Sequence, residues 1–459
     1  VLPLGLIGQG NSPYQSGSAF AGNPLFIDLE DLLAQGLIPA QVLADSRLDL
    51  ERVDYPHLLA DRERLFQRVA ERFFKPQDAG LHRDFEEFRA RERSWIEDFG
   101  LYMALKEVHD GAPWSDWGAE LRNRDPGALR SAGERLRARV RDHILRQFLF
   151  YRGWDKMRRE AQQQGITLIG DLPIFVGHDS ADVWAHPELF MLGADGQPTV
   201  VAGVPPDYFS PTGQRWGHPH YRWDRMQADG FSWWSDRLRS TLRLVDLLRL
   251  DHFRGFEAAW AIPADAPTAE DGHWMPGPGE EFFETIRRQL GRLPLIAEDL
   301  GVITPAVEAL RDQFELPGMR VLQFAFDGTL DNPFLPHLYP ARCVAYTGTH
   351  DNNTSRGWFE SLTEPERSEC LNVLETDPTQ VVWDMLRSIW ASKAGLAVAP
   401  LQDFLELGAD ARMNHPGLSE GNWAWRAPAR AFSPELAERI VALNMRFKRG
   451  RQHANCGHQ

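Results

Sequence analysis

Cysteine is scarce in this chain of 459 residues. The three present are Cys343, Cys370 and Cys456. An odd number without a CxxC pair excludes a disulfide framework and a thiolate zinc site, and the expected compartment is a reducing cytoplasm. Positive charge is also short. The formal net charge is −15 and the pI about 5.5. That excludes the basic face that nucleic acid or an anionic membrane needs, and leaves a neutral ligand open. No apolar run is long enough to span a bilayer, and no signal peptide is visible. No glycine-rich phosphate loop follows the first strand-like run, no repeat is visible, and no HxxxH pair suggests a metal. An initiator methionine is lacking too. The chain opens at Val1 inside VLPLG, which reads as a strand already under way, so a barrel lacking its first strand is one expectation.

What is present is an ordinary globular balance, 43% hydrophobic and 25% charged. The length suits two or three domains, or one barrel with insertions. Sixteen tryptophans fit either sugar stacking or core packing. VLPLGLIG (1–8) reads as strand then loop, and a structured loop leads to a helix at 28–35. Apolar spacing predicts helices at 61–74, 85–108 and 129–165, with Gly165 as C-cap. Residues 166–176 and 245–253 read as strands, 177–222 and 261–280 as loop, and 230–244 and 281–291 as helices. Thr304 and Pro305 mark a helix start. Strands are predicted at MRVLQFAF, CVAYTGT and AVAPLQD, and helices at 363–375, 378–393 and 434–448. The tail 446–459 is expected to fray, and His453, Cys456 and His458 there are weak metal candidates.

Strand–helix alternation of this kind predicts an α/β fold with a parallel sheet. A closed (β/α)8 TIM barrel is preferred to an open sheet, because three carboxylate motifs stand at successive strand ends. They are LLRLDHFRGF around Asp251, LPLIAEDLG around Glu298 and AYTGTHDNNT around Asp351, roughly fifty residues apart, room for one or two strand–helix units each. Converging carboxylates of this kind suit glycosidic chemistry. Side-chain alternation puts Arg249 and Asp251 on one face, where the guanidinium would keep the carboxylate ionised. The plainer reading is a helix cap or a structural ion pair. The apolar approach to Glu298 suits a general acid, although either Glu298 or Asp299 could be the inward residue. His350, Asp351, Asn352 and Asn353 crowd one loop that could bond sugar hydroxyls, or simply form an Asx turn. His252 beside Asp251 and His350 beside Asp351 offer a weaker metal reading.

Taken together, in order and wording, these motifs make the chain resemble the amylomaltase or 4-α-glucanotransferase family, the disproportionating enzymes of glycoside hydrolase family 77 in the α-amylase clan. The resemblance covers nearly the whole chain. It includes SPYQSGSAFAGNPLFIDL (12–29), GDLPIFVGHDSADVW (170–184), VAGVPPDYFSPTGQRWGHPHY (201–221), LRLDHFRGF, LIAEDLG, YTGTHDNNT and LQDFLELGADARMNHPG (401–417). It implies a single catalytic barrel domain over 1–459, with a helical insertion at 30–165 and a loop-rich insertion at 177–235. It implies Asp251 as nucleophile, Glu298 as acid/base and Asp351 as transition-state stabiliser. Arg249, His252, His350 and Asn352 would contact sugar and carboxylates, and Tyr14 and Ser12 would lie beside the sugar being transferred. Asp171 would be structural and sugar-contacting, and Asp207, Tyr208, Gln214 and Trp216 would sit on a loop over the cleft. In the family an aromatic commonly precedes SPYQ; Gln9 stands there, so stacking at that outer spot is expected to be weaker.

The implied reaction moves a segment of an α-1,4-glucan to the 4-hydroxyl of another glucan or glucose, with retention and without metal or organic cofactor. Loop 203–219 would shield the intermediate from water. The expected partners are α-1,4-glucans and maltooligosaccharides, with no nucleic acid or membrane, and the chain is expected to be monomeric. An α-1,4-glucan hydrolase and an inactive glucan-binding fragment are the alternatives.

Overall fold

The computed structural model describes residues 1–45, 51–75, 79–206, 210–418 and 420–450. Ten strands run along them: β1 (Ile169–Leu172), β2 (Val200–Val204), β3 (Gln214–Pro219), β4 (Leu247–Leu250), β5 (Ala258–Pro263), β6 (His273–Pro276), β7 (Leu295–Ala297), β8 (Gly318–Val321), β9 (Cys343–Tyr346) and β10 (Leu396–Val398). The chain divides into two compact units. One holds Tyr55–Glu298 with the N-terminal segment and Ile303–Phe314. The other holds the chain from Glu315 onward, with Asp299–Val302 and the short stretch before Tyr55.

In the first unit, β1, β4 and β7 form a parallel sheet in that order. Asp171 pairs with Arg249, and Leu250 with Ala297. A second sheet, ordered β3-β2-β5-β6, is antiparallel throughout. In the second unit, β8, β9 and β10 are parallel, with β9 in the middle. Helices follow most of the parallel strands, so the α/β class holds. Parallel strands need such crossovers, because a tight turn cannot return the chain to the same end of the sheet.

Residues 55–163 are mostly helical. The run expected as one helix at 129–165 is two, Pro126–Arg135 and Arg137–Gln163, broken at Leu136 (φ −102°, ψ 11°). Gly165 takes φ 71° just past the second, a conformation that glycine adopts without steric cost. The helix 137–163 packs through Ile144, Phe148 and Tyr151, all buried. Nine of the sixteen tryptophans lie in the core, so packing accounts for most of that composition. Trp114, Trp117 and Trp184 are almost completely buried, and so are Trp233 and Trp234, whose rings meet edge to face at 5.7 Å. The second unit has its own core, in which Val381, Met385, Leu386 and Ile389 of helix Val381–Ala391 meet Ala345 and Phe359.

Several expectations need correction. VLPLG is not a strand: only Gly5 makes a bridge, to Gly22, while Asn23 N–H donates to Leu4 O at 2.8 Å and the Val1 ammonium to Ile169 O at 2.6 Å. Pro3 removes one ladder donor from this segment. The loop expected at 261–280 carries parts of β5 and β6, and the stretch read as loop at 177–222 holds β2 and β3. Their Gly and Pro content hid the alternation. Helix Ser355–Ser361, capped by Thr354, was not anticipated. The end of the tail, with His453, Cys456 and His458, lies outside the described residues. Cys343 and Cys370 are buried and neither is in a disulfide, and the Cys343 thiol donates to Pro340 O at 3.1 Å. Among the described residues no helix is long and apolar enough to cross a membrane.

Thr304 does cap helix Pro305–Gln313, accepting from Val307 N–H. Thr304→Ala should therefore cost about 1 kcal/mol in urea unfolding, with an unchanged denaturant slope.

Candidate active site

The first unit gathers its charged groups where β1, β4 and β7 end. Arg249 is 8% exposed. Its Nη1 lies 2.8 Å from each oxygen of Asp171 and 2.9 Å from Asp251 Oδ1. Asp171 stands opposite Arg249 in the β1–β4 ladder, and Asp251 lies two residues beyond it, so the register itself assembles this triad. Burial works against the Arg249 charge, yet Asp171 and Asp251, with Tyr14 and Glu298 nearby, hold its pKa well above the ordinary arginine value. Asp251 N–H also donates to Leu172 O at 3.0 Å, tying the backbone of the two strand ends together.

Tyr14 adds a second donor to the Asp171 carboxylate. Its hydroxyl reaches Asp171 Oδ2 at 2.8 Å, and its N–H bonds Ser12 Oγ at 3.2 Å. The loop that carries it is fixed along its length. Ala19 N–H donates to Asp182 at 2.7 Å, Gly22 exchanges two bonds with the Gln147 amide, and Tyr151 O–H donates to Phe20 O. Gly22 has no room for a side chain, because an added Cβ would fall 2.0 Å from the Phe150 ring.

His252 follows Asp251 in the left-handed region, φ 51°. For a non-glycine residue this costs about 1–2 kcal/mol, and such strain concentrates at functional sites. The turn aims His252 N–H at Glu298 Oε2, 2.6 Å away. It also brings the imidazole edge-on to Trp216, with ring centroids 4.9 Å apart. Burial pushes the His252 pKa down to about 3, so the ring is neutral. Trp216 Nε1 bonds Gln214 Oε1, and Gln15 Nε2 bonds Trp216 O. Of the segment proposed as a shielding loop, 203–219, residues 203–204 and 214–219 lie in the paired strands β2 and β3, with Gly203 opposite Arg215. Asp207 and Tyr208 lie outside the described residues.

Glu298 and Asp299 separate clearly. Glu298 turns to His252, whereas buried Asp299 accepts from Met319 N–H and sits 3.6 Å from Arg320. Of the two, Glu298 is the one that contacts the residue following Asp251.

Asp351, His350 and Asn352 belong to the second unit. Asp351 Oδ1 accepts from Asn414 Nδ2 at 2.6 Å and lies 3.3 Å from His350 Nε2. Arg412 holds the Asp351 carbonyl at 2.6 Å. Asn352 closes the turn by accepting from Thr349 N–H and O–H. Buried Asp403 pins both ends of the loop, through Thr347 at 2.5 Å and Ser355 at 2.7 and 2.8 Å. Arg412, Asn414 and Asp403 were not singled out from the sequence. They act from about 50 to 60 residues away, and although all three lie in the motif LQDFLELGADARMNHPG (401–417), nothing in that motif says which loop they hold.

The first unit thus holds a buried arginine and two carboxylates that directly follow adjacent parallel strands, and the second unit, described by itself, holds a half-exposed carboxylate in a tethered loop. Against known proteins, the family described as 4-alpha-glucanotransferase matches residues 1–431. The chain belongs to the 4-alpha-glucanotransferase family. A 4-alpha-glucanotransferase of Thermus thermophilus is 51% identical over 452 residues, 96% of this chain and 90% of that protein. One from Synechocystis sp. is 46% identical, covering 93% and 85%. Among solved structures, an amylomaltase from Streptococcus agalactiae in complex with acarbose superposes with a TM-score of 0.94. It has 37% identity and covers 98% of this chain and 91% of that one.

Two outcomes test this glucanotransferase-family site. Tyr14→Phe removes one donor to Asp171 and should lower kcat/KM about tenfold at nearly unchanged stability, read by steady-state kinetics and a thermal melt. His218, buried against Phe175, has its pKa lowered to about 4 by burial. The unfolded chain binds that proton from pH 6.5 downward and the folded chain does not, so its stabilising effect is complete above pH 6.5 and is lost toward pH 4. Melts across that window should fall less steeply for His218→Phe than for the parent chain, by about 3 kcal/mol at the acid end.

Proposed function

We propose that this chain transfers segments of α-1,4-glucans by double displacement, with Asp251 as nucleophile, Glu298 as acid/base and Asp351 as stabiliser of the oxocarbenium-like transition state. One observation carries the reading. Leu250 and Ala297 are paired neighbours, so Asp251 and Glu298 step off adjacent parallel strands. Neighbouring strand ends bring the two side chains to one place, and a retaining mechanism needs its two carboxyls that close together.

Glu298 protonates the departing glycosidic oxygen while Asp251 attacks the anomeric carbon, and the leaving glucan diffuses away. An acceptor 4-hydroxyl then attacks the same carbon, passes its proton to Glu298 and releases Asp251. Arg249 keeps Asp251 ionised and in line for the first step. His252, neutral at working pH, is suited to bond a sugar hydroxyl. His350 and Asn352 would bind sugar from the other loop, and Ser12, Tyr14, Gln214 and Trp216 would line the donor side. Asp207 and Tyr208 would join them on the β2–β3 connection. The fold reading is a (β/α)8 barrel with helical and loop insertions. Strand–helix succession and carboxylates at strand C-termini support it. A monomer acting in the cytoplasm, with no nucleic-acid partner, suits the acidic chain and the absence of a disulfide at buried Cys343 and Cys370.

Incubation with maltotriose tests the activity. A ladder of longer maltooligosaccharides plus glucose is expected, and Asp251→Asn should abolish it. Glucose and maltose alone would make water the acceptor and the chain a hydrolase.

A further inference from the structure

Arg237 is a buried cation that the mechanism above does not use. It lies in helix Ser232–Leu244, 2% exposed. Among the described residues it forms no ion pair with a carboxylate. Asp182 acts on it only at longer range, and burial lowers its pKa. Instead, Nη2 donates to Pro173 O at 2.6 Å and Nη1 to Ile174 O at 3.0 Å. Tyr221 O–H donates to the same Ile174 carbonyl at 2.7 Å and lies 3.3 Å from Nη1. Trp233 and Trp234 supply ring faces 5.4 and 4.9 Å from the guanidinium carbon. Burying a guanidinium to satisfy two carbonyls is an expensive way to stabilise a core, since an apolar side chain would fill the space at lower cost. The carbonyls concerned explain why it is there.

Pro173 and Ile174 directly follow β1, where the ladder has ended and the backbone acceptors have lost their strand partners. The two residues before them do the positioning. Leu172 O accepts the Asp251 N–H, and the Asp171 carboxylate holds Arg249, which holds Asp251. Asp251 is thus located twice from the segment Asp171–Leu172, once through backbone and once through Arg249. Arg237 and Tyr221 fix the far end of that segment. We propose that Arg237, braced by Tyr221, is a positioning residue that sets the Asp251 carboxylate for attack. This rests on Asp251 being the nucleophile.

Rates of maltotriose disproportionation test it in Arg237→Met, Arg237→Lys and Tyr221→Phe, with Asp251→Asn alongside. Displacement of a reacting atom by an ångström costs about a hundredfold in rate, so Arg237→Met should lose about 10- to 100-fold in kcat. KM should stay within about threefold, because the sugar-contacting groups remain. Arg237→Lys keeps one charged donor and should recover part of that kcat, and Tyr221→Phe should show a smaller loss of the same kind. A core role alone would change melting temperature and leave kcat of the folded fraction intact. Should Arg237→Met fail to fold, the other two variants decide: parent-level kcat in both overturns the proposal. An inactive Asp251→Asn beside those active variants removes the proposal alone. An active Asp251→Asn removes the reading of the site beneath it.

Discussion

Arg249 shared between Asp171 and Asp251 is the interaction on which the first unit's chemistry depends. A guanidinium this deeply buried would be costly unpaired, and removing either carboxylate would leave uncompensated charge in a low-dielectric setting. With both present, the arginine is bonded to each and the charge is retained. The triad therefore behaves as one object, and Tyr14 extends it to a loop more than 150 residues away in sequence.

Backbone register makes that object possible. Asp171 faces Arg249 because β1 pairs with β4 in this register, and Glu298 stands beside Asp251 because β4 pairs with β7 at Leu250 and Ala297. A slip of one residue would turn every side chain to the opposite face and dissolve the site. Hydrophobic burial of Leu248, Leu250, Ile296 and Ala297 thus enforces the register that the chemistry needs. The left-handed turn at His252 is a local cost of the same design, since it sends one N–H to Glu298 and the imidazole to Trp216.

Much of this was legible in the sequence where the signal is local. Alternation alone placed Arg249 and Asp251 on one face, and Thr304 with Pro305 announced a helix start. The motif wording led to the family. What was not legible depends on distance or on weak patterns. Strands β2, β3, β5 and β6 carry Gly, Pro and His, and their pairing is antiparallel between segments with little alternation. Glu298 and Asp299 are adjacent, and only the contacts to His252 and Met319 distinguish them. The Arg237 brace joins residues more than 60 apart, and Asn414 reaches Asp351 across a similar gap.

The central claim is that Asp251, held by Arg249, forms the covalent bond to sugar. The most direct measurement is to trap that bond with a fluorinated maltosyl fluoride, digest the protein and locate the added mass by tandem mass spectrometry. The account predicts a single label on Asp251, in the peptide spanning Leu250–Arg254. A label on Glu298 or Asp351, or turnover of the reagent with no covalent adduct, would contradict it.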